Sequence, residues 1–335
     1  MTGEAVKRMA RECGFELSGV AAAQPAADFA RYEQWLQKGF AGEMRYLTHR
    51  RAEVRQDPRN LLERAKSIIC VGKLYNTDGP DDGVISRYAW GKDYHLVMRD
   101  GLHRMVELLE REAGPFEHKI CVDTAPLLER SYAREAGLGW IGKNTCLIHE
   151  PLGSWFFLGE ILTSLEIEPD RPPPDRCGTC TRCIDACPTK ALIPDDQGNW
   201  TLDSRRCISY LTIELRGPIP EEHREGMGSH IFGCDICQDV CPWNSRAPVT
   251  EELAFQARPH PGLETFAKLS PVSFNLMSRE SPMARAKHSG MLRSAAVAMG
   301  NAGLPGFREA LEELAASADE LVAEHAQWAL KKFSE

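Results

Sequence analysis

Two cysteine runs constrain this chain more than any other feature. The first is Cys177-Gly-Thr-Cys180-Thr-Arg-Cys183-Ile-Asp-Ala-Cys187-Pro188, and the second is Cys207 followed by Cys234-Asp-Ile-Cys237-Gln-Asp-Val-Cys241-Pro242. Three closely spaced thiolates with a fourth before proline is the spacing that grips an iron–sulfur cubane, the fourth thiolate reaching across to a second cluster. That crossing rule assigns Cys177, Cys180, Cys183 and Cys241 to cluster one. It assigns Cys187, Cys207, Cys234 and Cys237 to cluster two. Cys207 takes the place of the usual first cysteine of the second run, with 26 residues between it and Cys234. Zinc also favours C-x2-C pairs, but zinc sites use four ligands in two separated pairs, not a triple plus one, twice over. The prolines fix φ and offer no amide, so the chain turns away just past each far ligand. Electron transfer through two [4Fe-4S] clusters is the first activity expected.

The rest of the composition sets bounds. A chain of 335 residues is long enough for two or three domains. Hydrophobic content of 43% and charged content of 26% are those of an ordinary water-soluble protein. The start lacks the apolar core of a signal peptide. The most apolar stretch, Trp155 to Leu165, is interrupted by Glu160 and is too short to span a bilayer. Thiolate clusters and the spare Cys13, Cys70, Cys121 and Cys146 suit a reducing compartment, so a cytoplasmic protein with no membrane contact is expected. Net charge is −8, and the total does not point to nucleic acid. Its distribution is less one-sided: seven basic residues face three acidic ones across 45–66, and 281–293 holds three basic residues and no acid.

Three regions follow: 1–170, 171–250 and 251–335. The first alternates helix and strand, with strands expected at Ser67–Gly72, Lys119–Val122 and Trp155–Thr163 and helices at His95–Ala113 and Leu127–Ala136. Arg171-Pro-Pro-Pro174 is a stiff linker into the cysteine-rich module. After Pro259-His-Pro261 the pattern is helical. There Ala295, Ala298 and Met299 align with Ala326, Ala329 and Leu330 at a 31-residue period, which reads as a HEAT-like helical pair. No G-x-G-x-x-G follows a strand, and no Walker A motif is present.

One stretch narrows the function. The run from Val122-Asp123-Thr-Ala-Pro through Arg134-Glu-Ala-Gly-Leu-Gly-Trp-Ile-Gly-Lys-Asn-Thr-Cys-Leu147 resembles the epoxyqueuosine reductases. Ser86-Arg-Tyr-Ala-Trp-Gly-Lys-Asp-Tyr-His95, Arg45-Tyr-Leu and the cluster spacing add to it, so the likeness covers nearly the whole chain. The resemblance implies an α+β protein. An N-terminal α/β cobalamin-binding domain, similar to that of reductive dehalogenases, precedes a ferredoxin-like module with two [4Fe-4S] clusters and C-terminal HEAT-like repeats. It implies reduction of epoxyqueuosine to queuosine at the wobble position of tRNA, with base-off cobalamin and no histidine ligand. Asp93-Tyr-His95 begins the D-x-H-x-x-G cobalamin signature, but Met98 stands where its glycine belongs. A cobalamin-dependent, dehalogenase-like reductase of small molecules is the alternative.

The resemblance also distributes roles. Asp123 is the expected proton donor, with electrons delivered through a Co(I) corrinoid. An aspartate ionises near pH 3.9 in water, so such a donor needs its pKa raised by burial. Thr124 is then left to cap the following helix. Tyr46, Ser86, Arg87, Tyr88, Lys143, Asn144, Thr145 and Cys146 are candidates at the cofactor pocket, with Ser209 and Tyr210 between cluster and corrin. Candidate tRNA contacts are Arg205, Arg206, Arg216, Arg279, Arg285, Lys287 and Arg293, since phosphate contact needs clustered positive charge. A low-potential donor such as flavodoxin or ferredoxin completes the partners of a monomer.

Overall fold

In the computed structural model, residues 1–48, 50–80 and 82–333 are described. Its centre is a four-stranded sheet in the order β1-β2-β6-β3, with β1 at Leu17–Ala22, β2 at Ser67–Leu74, β3 at His118–Cys121 and β6 at Phe156–Thr163. Every pairing in it is antiparallel, as in an α+β arrangement. All eight residues of β2 are buried, because helices cover both faces. This explains its continuous apolar run; a strand with one wet face would alternate.

On one face lie α1 (Gly3–Glu12) and α2 (Tyr94–Ala113). Helix α2 buries Met98, Leu102, Met105, Val106 and Leu109, the three- and four-residue spacing of a single stripe. Each such side chain contributes roughly 1.5–3 kcal/mol on full burial. It can sit this close because Gly159 of β6 has no side chain. A Cβ there would lie 3.0 Å from both Leu102 Cδ1 and Met98 Cε. Asp93 caps the helix and Gly114, at φ 78°, ends it. The opposite face packs on α3 (Glu129–Glu135), through Tyr132 and Ala133 against Ile68, Cys70 and Leu162. The expected elements are found, but α3 begins two residues later than its periodicity suggested. Two short hairpins complete the strands: β4 (Trp140–Ile141) with β5 (Leu147–Ile148), and β7 (Leu192–Pro194) with β8 (Trp200–Leu202).

The cysteine-rich segment wraps around one edge of this body, and short helices at Arg182–Ala186 and Ile236–Asp239 carry part of each run. Within it, α4 (Ile208–Ile213) meets α5 (Lys287–Ala302), which packs with α6 (Arg308–Ala315) and α7 (Glu320–Lys331). The aligned positions of the 31-residue period explain their packing. Ala295, Ala298 and Met299 on α5 and Ala326 and Ala329 on α7 are fully buried, and the alanines are small enough to let the two helices approach.

Arg293 corrects an expectation. It is 0% exposed and donates to the carbonyls of Leu211, Leu215 and Gly217, so it ties α5 to the chain around α4 and cannot reach a phosphate. Its place inside a basic stretch hid the fact that it lies on the buried face of a helix. No helix among the described residues is long and apolar enough to cross a membrane.

Candidate active site

The loop leaving β3 sets the geometry. Val122 is buried, and Asp123 then turns to φ 53°, a left-handed conformation that Asp tolerates better than most residues other than glycine. Two groups hold the turn. The Asp123 amide donates to Oε1 of Glu129 at 2.6 Å, and Oδ2 of Asp123 lies 3.3 Å from Nε2 of His95. The other ring nitrogen, Nδ1, lies 2.8 Å from Oδ1 of Asp93, the oxygen that also accepts the His95 amide at the start of α2. A carboxylate–imidazole–carboxylate line therefore runs from the α2 N-terminus to the loop. Neither Asp123 nor Thr124 caps α3. The Thr124 hydroxyl turns back to the carbonyl of Val122, and the helix starts with no side-chain cap.

The charges in this line differ from expectation. Burial would lower the pKa of His95, but the hydrogen bonds and charges of Asp123 and Asp93 raise it to about 9. Burial would raise Asp123. The His95 hydrogen bond and charge, helped by Arg285 and Arg130, outweigh that and hold its carboxyl below the usual range. Asp123 is thus ionised at neutral pH, and the proton sits on the imidazole. Sequence reasoning treated His95 only as a fragment of a motif. The signal was an aspartate two residues before a histidine at a helix start, where one carboxylate can cap the helix and orient the ring together.

Asp123 opens onto a cavity of about 750 Å³. Tyr46, Leu127, Leu128, Arg130, Ile141, Lys143, Thr145, Trp200 and Ser204 contribute to its wall. Of the expected pocket residues, Tyr46, Lys143 and Thr145 are on this wall, together with Asp123. The others are drawn toward the cysteines. Ser86 Oγ and the Arg87 amide both donate to Asp235, at 2.5 and 2.6 Å, and Asp235 follows Cys234. The Arg87 guanidinium lies 4.5 Å from the ring centre of Trp155. Asn144 donates to the carbonyl of Cys237 at 3.2 Å. The Cys146 thiol hydrogen-bonds Cys237. Tyr210 accepts the amide of Glu43, and Ser209 hydrogen-bonds the Cys207 sulfur. Tyr88 packs against Tyr94 and Phe232, and burial followed by the Asp123 charge pushes its hydroxyl well up. The loop 143–146 therefore faces two ways: Thr145 lies on the cavity, Asn144 and Cys146 turn to the cysteines, and Lys143 reaches from the wall to the carbonyls of Gly178 and Cys180.

The thiols fall into two neighbourhoods. Beyond its own burial, Cys183 feels Cys241, Cys177 and Cys180, whereas Cys234 feels Cys207 and Cys187, and Cys237 feels Cys207 and Cys234. Among the described residues no three His, Cys, Asp or Glu side chains are drawn together as around a single ion. A cubane holds its thiolates farther apart than one zinc ion does.

At the other rim, Arg285 forms a two-pronged ion pair with Glu214, at 2.6 and 3.1 Å, and lies 5.0 Å from the Tyr46 ring centre. Tyr46 is pushed up to about 12, by burial and then by Glu214. Arg216 donates to the carbonyls of Arg285 and Ala286. Lys287 and Arg279 are exposed. Arg205 and Arg206 are exposed beside the cavity wall, both paired with Asp203.

Two family models match this chain: a "4Fe-4S double cluster binding domain" over residues 176–244 and "Epoxyqueuosine reductase QueG, DUF1730" over 55–124. A curated epoxyqueuosine reductase of Xanthomonas campestris pv. campestris is 42% identical across 97% of this chain and 94% of its own length. That of Pseudomonas aeruginosa is 39% identical across 99% and 94%. Among solved structures, the epoxyqueuosine reductase of Streptococcus thermophilus superposes with a TM-score of 0.89 at 31% identity, covering 98% of this chain and 90% of its own. An epoxyqueuosine reductase bound to an epoxyqueuosine-modified tRNA-Tyr stem loop matches with a TM-score of 0.89 at 28% identity, over 99% and 90%. A Bacillus subtilis epoxyqueuosine reductase, solved with its catalytic aspartate loop swung out of the active site, gives 0.88 at 28% identity, over 98% and 90%.

Proposed function

The chain belongs to the epoxyqueuosine reductase family, and we propose that the Asp93–His95–Asp123 line supplies the protons for that reaction at the wobble nucleoside of tRNA. The epoxide takes up two electrons and two protons, the ring gains a carbon–carbon double bond, and the epoxide oxygen leaves as water. The chain has to bind the nucleoside, bring electrons one at a time, and place a proton on the oxygen as its bond to carbon breaks. Two [4Fe-4S] clusters, held by the two thiol quartets, would supply the electrons. Cys177, Cys180, Cys183 and Cys241 would hold one, and Cys187, Cys207, Cys234 and Cys237 the other.

The family also implies a corrinoid, and the cavity beside Asp123 suits one. Among the described residues no histidine lines it, and apolar Leu47, Leu127, Leu128 and Ile141 alternate with Arg31, Arg55, Lys143 and Thr145, as befits a large ring edged with amides. Tyr46, Lys143 and Thr145 would border it, and bound there it would supply a strongly reducing centre. The residues do the rest. The His95 imidazolium passes its proton through the hydrogen-bonded Asp123 to the developing oxyanion, and Asp93 stabilises the ring in both states. Arg285, set over Tyr46 at the rim, offers a flat guanidinium on which an unstacked base can lie. Arg205, Arg206, Arg279 and Lys287 would meet the phosphates.

We assign residues 1–170 to the reaction, 171–250 to electron delivery and 251–335 to tRNA contact. A low-potential carrier such as flavodoxin or ferredoxin would reduce the clusters of a monomer working beside tRNA in the cytoplasm. The observation that carries the reading is the carboxylate–imidazole–carboxylate line opening on a cavity adjacent to the cysteine quartets. Its test is anaerobic incubation of the reconstituted Asp123→Ala protein with epoxyqueuosine-bearing tRNA, followed by nucleoside mass spectrometry. Full clusters and corrinoid with turnover lost is expected; normal turnover removes Asp123 from the mechanism.

A further inference from the structure

Behind the Asp123 loop lies a carboxyl group that the reaction, as argued so far, does not use. Glu160 sits in the middle of β6, the strand between β2 and β3, and is 0% exposed. Its cross-strand neighbours are Cys70 and Cys121. Neither can neutralise a charge. As a carboxylate, both Glu160 oxygens lack any hydrogen-bond donor among the described residues. A buried, unpaired carboxylate costs several kcal/mol, and a position in a sheet core is where chains rarely tolerate one. The partner that faces it is Glu129, at hydrogen-bonding range from α3. Two carboxylates cannot bond each other, whereas a carboxylic acid and a carboxylate can.

Resting on the assignment of Asp123 as the proton-delivering residue, we infer that Glu160 and Glu129 share one proton and act as positioning residues that latch the Asp123 loop in place. The Glu160 acid donates to Glu129, which fixes that carboxylate, and the fixed Oε1 accepts the Asp123 amide at 2.6 Å. The grip matters because Asp123 is held in a left-handed turn that persists only while its surroundings impose it. In the Bacillus subtilis relative the catalytic aspartate loop has been found swung out of the active site, so a loop of this family does leave its place.

The surroundings favour the shared proton. Burial, then the Asp123 charge, pushes Glu129 up, and burial, then the Glu129 charge, pushes Glu160 well up. Titratable groups face the pair from each element around it. Cys70 comes from β2, Cys121 from β3, Tyr94 from α2, Asp123 from the loop, Arg130 from α3 and Arg55 from the 50–55 segment. Arg130 and Arg55 carry positive charge toward Glu129, whereas the charges acting most on Glu160 are the carboxylates Glu129 and Asp123. Losing the shared proton would place three carboxylates together, and the loop would be released as pH rises.

Two measurements test the latch on the full-length, cluster-loaded protein. The infrared spectrum of the wild type minus that of Glu160→Gln, taken at neutral pH without substrate, should contain a protonated-carboxyl stretch. Its absence overturns the shared proton. In turnover with the corrinoid and modified tRNA, Glu129→Ala, which cannot accept the Asp123 amide, should lose about 10²-fold in kcat with KM little changed, the scale of a misplaced catalytic group. Glu129→Gln keeps an acceptor oxygen and should recover to within about tenfold of wild type, or 1.4 kcal/mol. Wild-type kcat in Glu129→Ala, or equal losses in both variants, overturns the latch. If instead Asp123→Ala turns over normally while the infrared band persists, the assignment of Asp123 fails and the shared proton stands.

Discussion

At the scale of single residues, the site works by keeping a proton on the group that holds it more strongly. His95, raised to about 9 by its two carboxylates, carries the proton throughout the neutral range, and Asp123 relays it. Activity should fall as pH rises through about 9, where the imidazolium is lost. The same groups link stability to pH in opposite directions. The raised His95 stabilises fully below its unfolded value near 6.5, and that contribution disappears as pH climbs through about 9. The lowered Asp123 stabilises above the ordinary carboxylate range, and its contribution is lost in acid. His95→Gln should cost about 10²–10⁴-fold in single-turnover rate and flatten the alkaline limb, as removal of a general acid does. Nucleoside mass spectrometry across pH checks both. An alkaline limb unchanged in His95→Gln would assign it to another group.

At the scale of elements, small contacts decide how closely layers approach. Leu102 is fully buried between α2 and β6, so Leu102→Ala should destabilise by about 2–5 kcal/mol in denaturant unfolding. Gly159→Ala should be destabilising as well, because the new Cβ meets Leu102 and Met98 at 3.0 Å, tighter than packed side chains accept. Arg293 is the corresponding polar joint between α5 and the chain around α4. Burial, then Arg216, lowers it to about 10, and the Glu43 charge only partly offsets that. Arg293→Ala leaves three carbonyls without their donor and should cost about 3–5 kcal/mol. It should leave the salt dependence of tRNA binding per folded molecule unchanged, which a filter-binding titration would establish.

At the scale of the whole molecule, three parts with different chemistry meet at one cavity. The α/β body provides Asp123 and His95, the cysteine-rich segment provides the β8 wall, and the helical region sends Arg285 to the rim. Iron analysis of anaerobic protein should give about eight atoms per chain, and Cys241→Ser should damage the same cluster as Cys177→Ser. Two distinct single-cluster spectra from those variants would refute the crossing. For tRNA, Arg205→Glu with Arg206→Glu should weaken binding and reduce the salt slope by about one per lost phosphate contact. Arg285→Glu should instead act mainly on kcat, since that side chain is committed to Glu214 and Tyr46.

Much was legible in one dimension because the signals are local. The cysteine spacing, the continuous apolar run of β2, the α2 stripe and the family-like motif around Asp123 all depend on neighbours in the chain. Burial, charge partners and the direction of a titration depend on residues far apart. Asp123 sits below its usual range because His95 lies 28 positions earlier, Arg293 is inside because α5 rests on α4, and Ser86 and Arg87 serve Asp235 rather than the cavity. The amino-acid order alone marked the candidate cluster thiols and the buried layers of the fold. Only folding decided which groups share a proton, because electrostatic coupling acts through a few ångströms of space and is blind to distance along the chain.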